Sequence, residues 1–189
     1  LFRSSTSAVI TITNSTIAAN YASSNTAPGG IQAATASISV VNSIFWGNRN
    51  VDGSAGQIVN GGSNTVANSI IEGGQFGALN SNPLFVSGIT ATAIPTTGGN
   101  FRLPPFSPAI DAGVDTSVVA DTFDVNGNGD TSENAPDLDG NTRRFDDFSI
   151  SNVGSNIVDL GAYERQVHSD VCLGYPFPYT LSSNSSAEL

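Results

Sequence analysis

The chain has 189 residues, a hydrophobic fraction of 39% and a mean hydropathy of −0.01, enough for one sizeable core of ordinary globular composition. Only 12% of the residues are charged, Lys and Met are absent, and Gly, Ser, Thr, Asn and Ala abound, a mixture that disfavours long surface helices and favours an all-β chain. A net charge of −10 leaves no basic patch for nucleic acid or an anionic membrane and makes cations the more natural ligands, while a single cysteine, Cys172, excludes an internal disulfide or a thiolate metal cluster.

The opening LFRSSTSAVITIT lacks the basic-then-apolar order of a signal peptide, and no stretch approaches the roughly 20 apolar residues of a membrane helix. Export signals are therefore expected in a longer parent protein, outside this chain. The first half is organised by repeats. Ile10-Thr-Ile-Thr-Asn14-Ser-Thr-Ile17, Ile38-Ser-Val-Val-Asn42-Ser-Ile-Phe45 and Asn64-Thr-Val-Ala-Asn68-Ser-Ile-Ile71 share a β-branched alternation followed by Asn-Ser, at steps of 28 and 26 residues. Gly29-Gly30-Ile31 and Gly56-Gln57-Ile58 repeat at a step of 27, and Asn20 and Asn48 follow their Asn-Ser pairs at equal distance.

Each repeat has room for about three short strands between Gly, Asn and Ser turns. One repeat cannot bury its own apolar side, so stacking in parallel is predicted, with Ile12, Val40 and Val66 in one inward column. The expected fold is all-β, a right-handed parallel β-helix (β-solenoid), with C-terminal turns and an irregular acidic cap. Asn14, Asn42 and Asn68 are expected at bends, where their amides would bond to one another as a ladder. Asn14-Ser-Thr16 and Asn184-Ser-Ser186 also read as glycosylation sequons.

Residues 76–113 are expected to form irregular final turns, with Pro83, Pro95, Pro104, Pro105 and Pro108 preventing regular pairing. Most of the acidic residues then fall between Asp111 and Glu164, whereas only Asp52 and Glu72 precede residue 100. The densest stretch, Asp124-Val-Asn126-Gly-Asn128-Gly-Asp130, sets oxygen side chains at alternate positions with Gly129 sixth, as in an EF-hand or dockerin calcium loop. Ala135 stands at the twelfth position in place of a bidentate Glu. The missing ligand would come from Glu133, Asp137 or Asp139, or else the stretch is a solvated turn. Calcium is the expected cofactor.

A second acidic set, Asp111, Asp137, Asp139, Asp159 and Glu164, either caps turns through backbone hydrogen bonds or converges on another ion. Arg143 and Arg144 are candidates to pair with Asp146, Asp147 or Glu164. Val158–Glu164 is expected to return as a last strand, so that residues 114–165 close the strand edges and apolar cross-section left by residues 1–113. Residues 166–189, including Tyr175, Phe177 and Tyr179, read either as a linker or as a tail packed on the flank.

Two resemblances bear on these residues. Asn14-Ser-Thr-Ile17 followed by Asn20 and Gly29-Gly30-Ile31 resembles the repeats of bacterial polymorphic-outer-membrane-protein-type β-helices. The ordered set Asn82-Pro-Leu-Phe85, Asn100-Phe-Arg-Leu103, Ser107-Pro-Ala-Ile-Asp-Ala-Gly113, Asp137-Leu-Asp-Gly140 with Arg143-Arg144, and Val158-Asp-Leu-Gly-Ala-Tyr-Glu164 resembles the C-terminal part of choice-of-anchor Q domain proteins. Together they span about residues 8–165. They imply a secreted bacterial β-helix at the cell surface, and they are weak on activity.

Catalysis is not expected. Residues Ala8–Gly74 hold no Lys, one Arg (Arg49) and two acids, from which neither a lyase centre nor a paired-carboxylate hydrolase centre can be assembled. His168, the only histidine, follows the last expected strand. Trp46 either fills the interior or stacks on a sugar. The functional expectation is a non-catalytic cell-surface scaffold or adhesin, whose glycan or protein partner the sequence does not name. The rivals are a carbohydrate-binding or polysaccharide-degrading module with its active face further upstream, and a filament subunit self-associating end to end.

Overall fold

The structure, a computed structural model, describes residues 2–4, 8–23, 27–89 and 98–167. Nine short strands run in the order β1 Phe2–Ser4, β2 Val9–Thr13, β3 Thr16–Ala18, β4 Ile31–Ala33, β5 Ser37–Val41, β6 Ile44–Trp46, β7 Ile58–Asn60, β8 Asn64–Ala67 and β9 Ile70–Ile71. They form three parallel three-stranded sheets, β1-β4-β7, β2-β5-β8 and β3-β6-β9. Every repeat thus gives one strand to each sheet. Among the described residues helix is confined to two 3-10 turns, Gln75–Gly77 and Asp115–Ser117, and no helix is long and apolar enough to cross a membrane. The chain is all-β with parallel sheets.

The register follows the sequence repeats. Ile12 pairs with Val40 and Val40 with Val66, while Ile31 pairs with Ile58. Alternate side chains of these strands turn inward. Val40, Ala36 and Phe45 are fully buried, and with Ile31, Ile38, Ile58 and Ile71 they form one core that Ile10, Ile12, Ile17 and Val66 extend. Burying each such aliphatic side chain contributes about 1.5–3 kcal/mol. The successive repeats approach closely at Gly30, where an added Cβ would lie 2.0 Å from the Gln57 carbonyl oxygen.

The side-chain ladder falls one residue later than the repeats suggest. Asn14, Asn42 and Asn68 occupy left-handed backbone positions, with φ of 48°, 50° and 39°, at the bends between the second and third strands. Asn tolerates that region because its short polar side chain bonds locally. The Asn42 and Asn68 amides, however, bond to residues 112–114 and not to one another. The serines stack instead: the Ser15 N–H donates to Ser43 Oγ at 3.2 Å, the Ser43 N–H to Ser69 Oγ at 3.1 Å, and each hydroxyl donates to the carbonyl two residues back. A second rung joins the Asn20 amide to Asn48 Oδ1 at 2.9 Å.

The last repeat is covered by residues 75–79. The Gln75 side chain accepts from the Ile58 N–H and donates to the Ile58 carbonyl, imitating a further strand on β7. Leu79 bridges to Ile70. The outward backbone groups of Ile58 in β7 and the edge of β9 are thereby paired, as buried backbone must be. The acidic segment does not lie over this end; it runs along the flank at the bends. The Ala162 N–H donates to Thr16 Oγ1 in the first repeat, the Gly161 N–H to the Asn42 carbonyl in the second, and Asn68 Nδ2 to the Ala112 carbonyl in the third. Gly161 has φ of 98°, and an added Cβ would lie 2.6 Å from Thr16 Oγ1.

The flank contact explains why the third strands are apolar at adjacent positions. Phe45 and Ile71 face the inner core, whereas Ile44 and Ile70 face outward into a second cluster with Leu103, Ala109, Ile110, Ala112 and Leu160. Val158–Glu164, expected as a strand, is irregular, its groups held singly: the Leu160 N–H by the Ala109 carbonyl, and the Val158 carbonyl by the Gly113 N–H. From Glu72 to Val167 the described residues contain isolated bridges but no strand.

Candidate cation-binding segment

The loop at residues 124–133 is anchored by its flanks. The Asp121 N–H donates to the Glu133 carbonyl and the Ala135 N–H to the Val119 carbonyl, and buried Asp121 accepts the Val125 N–H on both oxygens at 3.0 Å. Asp124, at φ 51°, accepts the Gly129 N–H. From there Asn126 Oδ1 accepts the Asn128 N–H, Asn128 Oδ1 accepts the Asp130 N–H, and Asp130 Oδ1 accepts from the backbone and hydroxyl of Ser132. These are successive Asx-type turns, the local bonding that Asn and Asp offer to a tight backbone. The hydroxyl of Ser132 and then its N–H hold the Asp130 carboxyl below its ordinary value.

Of the three residues proposed to complete the loop, Glu133 joins it. The Asn126 and Asn128 side-chain N–H groups converge on Glu133 Oε1 at 2.8 and 2.6 Å. As placed, the amide nitrogens and not the oxygens face Glu133, and a half-turn of either amide would present its oxygen there at the cost of an Asx-turn bond. Asp137 and Asp139 are engaged elsewhere. Asp137 Oδ1 accepts the N–H groups of Asp139 and Asn141, its Oδ2 accepts the Glu164 N–H at 2.9 Å, and Asp139 forms a two-point ion pair with Arg102. Arg102 also sits over the Tyr163 ring at 4.8 Å. Among the described residues, no three His, Cys, Asp or Glu side chains gather as metal ligands.

The second acidic set is a buried network built largely on backbone donors. Asp159 Oδ1 accepts the Asp111 N–H at 2.8 Å and its Oδ2 the Arg165 N–H at 2.7 Å, while Glu164 Oε2 accepts the Asp159 N–H at 3.0 Å. Asp111, Asp137, Asp159 and Glu164 are all buried. Burial, reinforced by the charge of Asp111 on Asp159 and of Asp159 on Glu164, pushes the carboxyls of Asp159 and Glu164 well above the ordinary range. Arg143, expected to pair with a carboxylate, instead donates to the carbonyls of Gly161 and Ala162 at 2.9 and 2.8 Å. Arg144 pairs with Asp115, and Asp147 pairs with Arg165. Sequence reasoning missed both of those pairings and the burial of Asp121 and Asp147, because no local pattern distinguishes a buried Asp in an irregular segment from an exposed one.

On the sheets, Arg49 and Glu72 are spent on each other. Their two-point contact spans 2.6 and 2.8 Å, and Glu72 also accepts from Gln57 and the Gly47 N–H. Burial raises the Glu72 carboxyl, but the Arg49 and Gly47 bonds outweigh it and hold the group below its ordinary value. Trp46 is half-buried and lines an outward cleft of about 400 Å³ with Asn82, Leu84, Phe85 and Phe101. His168, Cys172, Pro95, the aromatics Tyr175, Phe177 and Tyr179, and the Asn184 sequon lie outside the described residues. Comparison with known protein families, with curated proteins and with solved structures finds no match to this chain.

Proposed function

We propose that this chain is a stretch of right-handed parallel β-helix from an extracellular bacterial surface protein, a non-catalytic scaffold or adhesin whose C-terminal flank is ordered by calcium. The observation that carries the reading is the division of labour between the two halves. Three repeats each supply one strand to three parallel sheets in continuous register, the arrangement a coiled parallel chain produces, and crossovers between parallel strands are nearly always right-handed. Among the described residues of the repeats, Arg49 and Glu72 are locked together, which speaks against an acid and a base poised for chemistry there. The ordered motifs of the second half support membership of the choice-of-anchor Q domain group, and with it secretion and surface attachment. Calcium at residues 124–133 is supported by the convergence of Asn126, Asn128 and Glu133.

Purified chain is expected to release no sugar from pectin, alginate or chitin, and chelation is expected to lower its thermal midpoint; measurable depolymerisation would sink the scaffold reading. A second reading, a carbohydrate-binding module, is favoured by the Trp46 cleft, since an aromatic face beside the Asn82 amide suits a sugar ring. Binding on a glycan array that disappears in Trp46→Ala would select it.

A further inference from the structure

Asp111 is the one buried carboxylate whose two oxygens both lack a hydrogen-bond partner among the described residues. The residue is 0% exposed. Its backbone is well held, the N–H by Asp159 and the carbonyl by the Val153 N–H at 3.1 Å. The side chain is therefore fixed in place with its oxygens unserved among the described residues, a condition that disfavours the fold, more so for a charged group than for a neutral one. Every other buried acid here has donors: Asp121, Asp137, Asp147, Asp159 and Glu164 each accept backbone N–H groups or an arginine. Among the described residues, the charges of Asp146 and Asp115 raise the Asp111 carboxyl beyond the effect of burial, whereas Arg165, which opposes them, is committed to Asp147.

We propose that Asp111 is the anchoring ligand of a buried site for a divalent cation of the calcium class, with Asp146 adding negative charge and completing the shell together with backbone oxygens and water, while Asp115 stays bound to Arg144 and the Ile157 N–H. The acidic groups acting on Asp111 are carboxylates, so a hard cation fits and a thiolate- or imidazole-seeking metal does not. Among the described residues no third carboxylate gathers with Asp111 and Asp146 as placed. Asp146, the exposed member, is the one that would move inward to ligate. The site shares no residue with the loop at residues 124–133 and does not depend on that loop binding an ion. It would fasten the stretch around residue 111 to residues 146–153, on the flank that clasps all three repeats.

The test is calorimetric titration of metal-stripped protein with calcium chloride, with magnesium chloride as comparison. In the loop variant Asp124→Asn/Asp130→Asn, one calcium-binding event is expected to remain. Adding Asp146→Asn should weaken it about tenfold, because affinity follows the count of charged ligands, and adding Asp111→Asn should abolish it together with the calcium-induced rise in thermal midpoint. Loss of all binding in the loop variant would overturn this site while leaving the loop reading intact. Retention of wild-type affinity with Asp146→Asn or Asp111→Asn would equally overturn it. If Asp111→Asn does not fold, the exposed Asp146→Asn substitution decides.

Discussion

Asn42 shows how much one side chain does in this chain. Its backbone adopts a left-handed bend at φ 50°, its Oδ1 accepts the Val114 N–H at 2.7 Å, its Nδ2 donates to the Val114 carbonyl at 3.0 Å, and its own carbonyl receives the Gly161 N–H. Ala at this position would leave the Val114 groups unpaired and meet the Cβ penalty of the left-handed region, so Asn42→Ala is expected to destabilise by about 2–4 kcal/mol. Asn42→Gly should recover only the backbone part, about 1 kcal/mol. Urea denaturation of the two variants separates the contributions, and equal stability of Asn42→Gly and the parent would refute a role for the amide. The repeats made Asn42 conspicuous, yet they pointed its amide at the wrong partner. A period of 28 and 26 residues reports which positions are equivalent, but it cannot say whether an equivalent side chain faces its own copies or a distant segment.

Among elements, the β3-β6-β9 sheet is the hinge between the two halves of the molecule. One face packs Phe45 and Ile71 into the core between the sheets, and the other packs Ile44 and Ile70 beneath residues 103–112 and Leu160. Ile44→Ser should therefore weaken the flank selectively. The expected result is faster proteolysis within residues 103–165 with the β-sheet circular dichroism retained, after loss of a buried Ile contact of about 2–5 kcal/mol. Simultaneous loss of both signals would show that the repeats do not stand without the flank. Adjacent Ile-Phe and Ile-Ile were the legible sign that this sheet is covered on both sides, since an exposed outer face would alternate with polar residues. The inner column of Ile12, Val40 and Val66 was read directly from that same alternation.

For the molecule as a whole, the distribution of carboxylates sets the response to pH. Glu72 has a lowered value in the fold, so its contribution is present above the ordinary carboxylate range and is lost as pH falls through the depressed value. Asp159 and Glu164 have raised values, so their contribution is complete below the ordinary range and is lost as pH rises through the elevated ones. Melting in the presence of chelator should accordingly show stability declining as pH rises above the ordinary carboxylate range, through about 7 for Asp159 and on toward about 10 for Glu164, and Glu164→Gln should flatten the alkaline limb. An unchanged alkaline limb in the variant would refute the assignment.

The sequence by itself determined the repeat and its consequence: β-branched alternation and Asn-Ser pairs at near-constant spacing specify parallel strands in register, because the two-residue period of a strand and the repeat length are both written locally. It also marked residues 124–133 as an oxygen-rich turn. Only the tertiary structure decided that Glu133 and not Asp137 or Asp139 serves that turn, that residues 75–79 cover the last repeat, and that the acidic segment lies along the flank with Asp111 sealed and unserved inside it. Those choices rest on contacts between residues far apart in the chain. In an irregular segment no periodicity ties a carboxylate's position in the sequence to the donor it will meet.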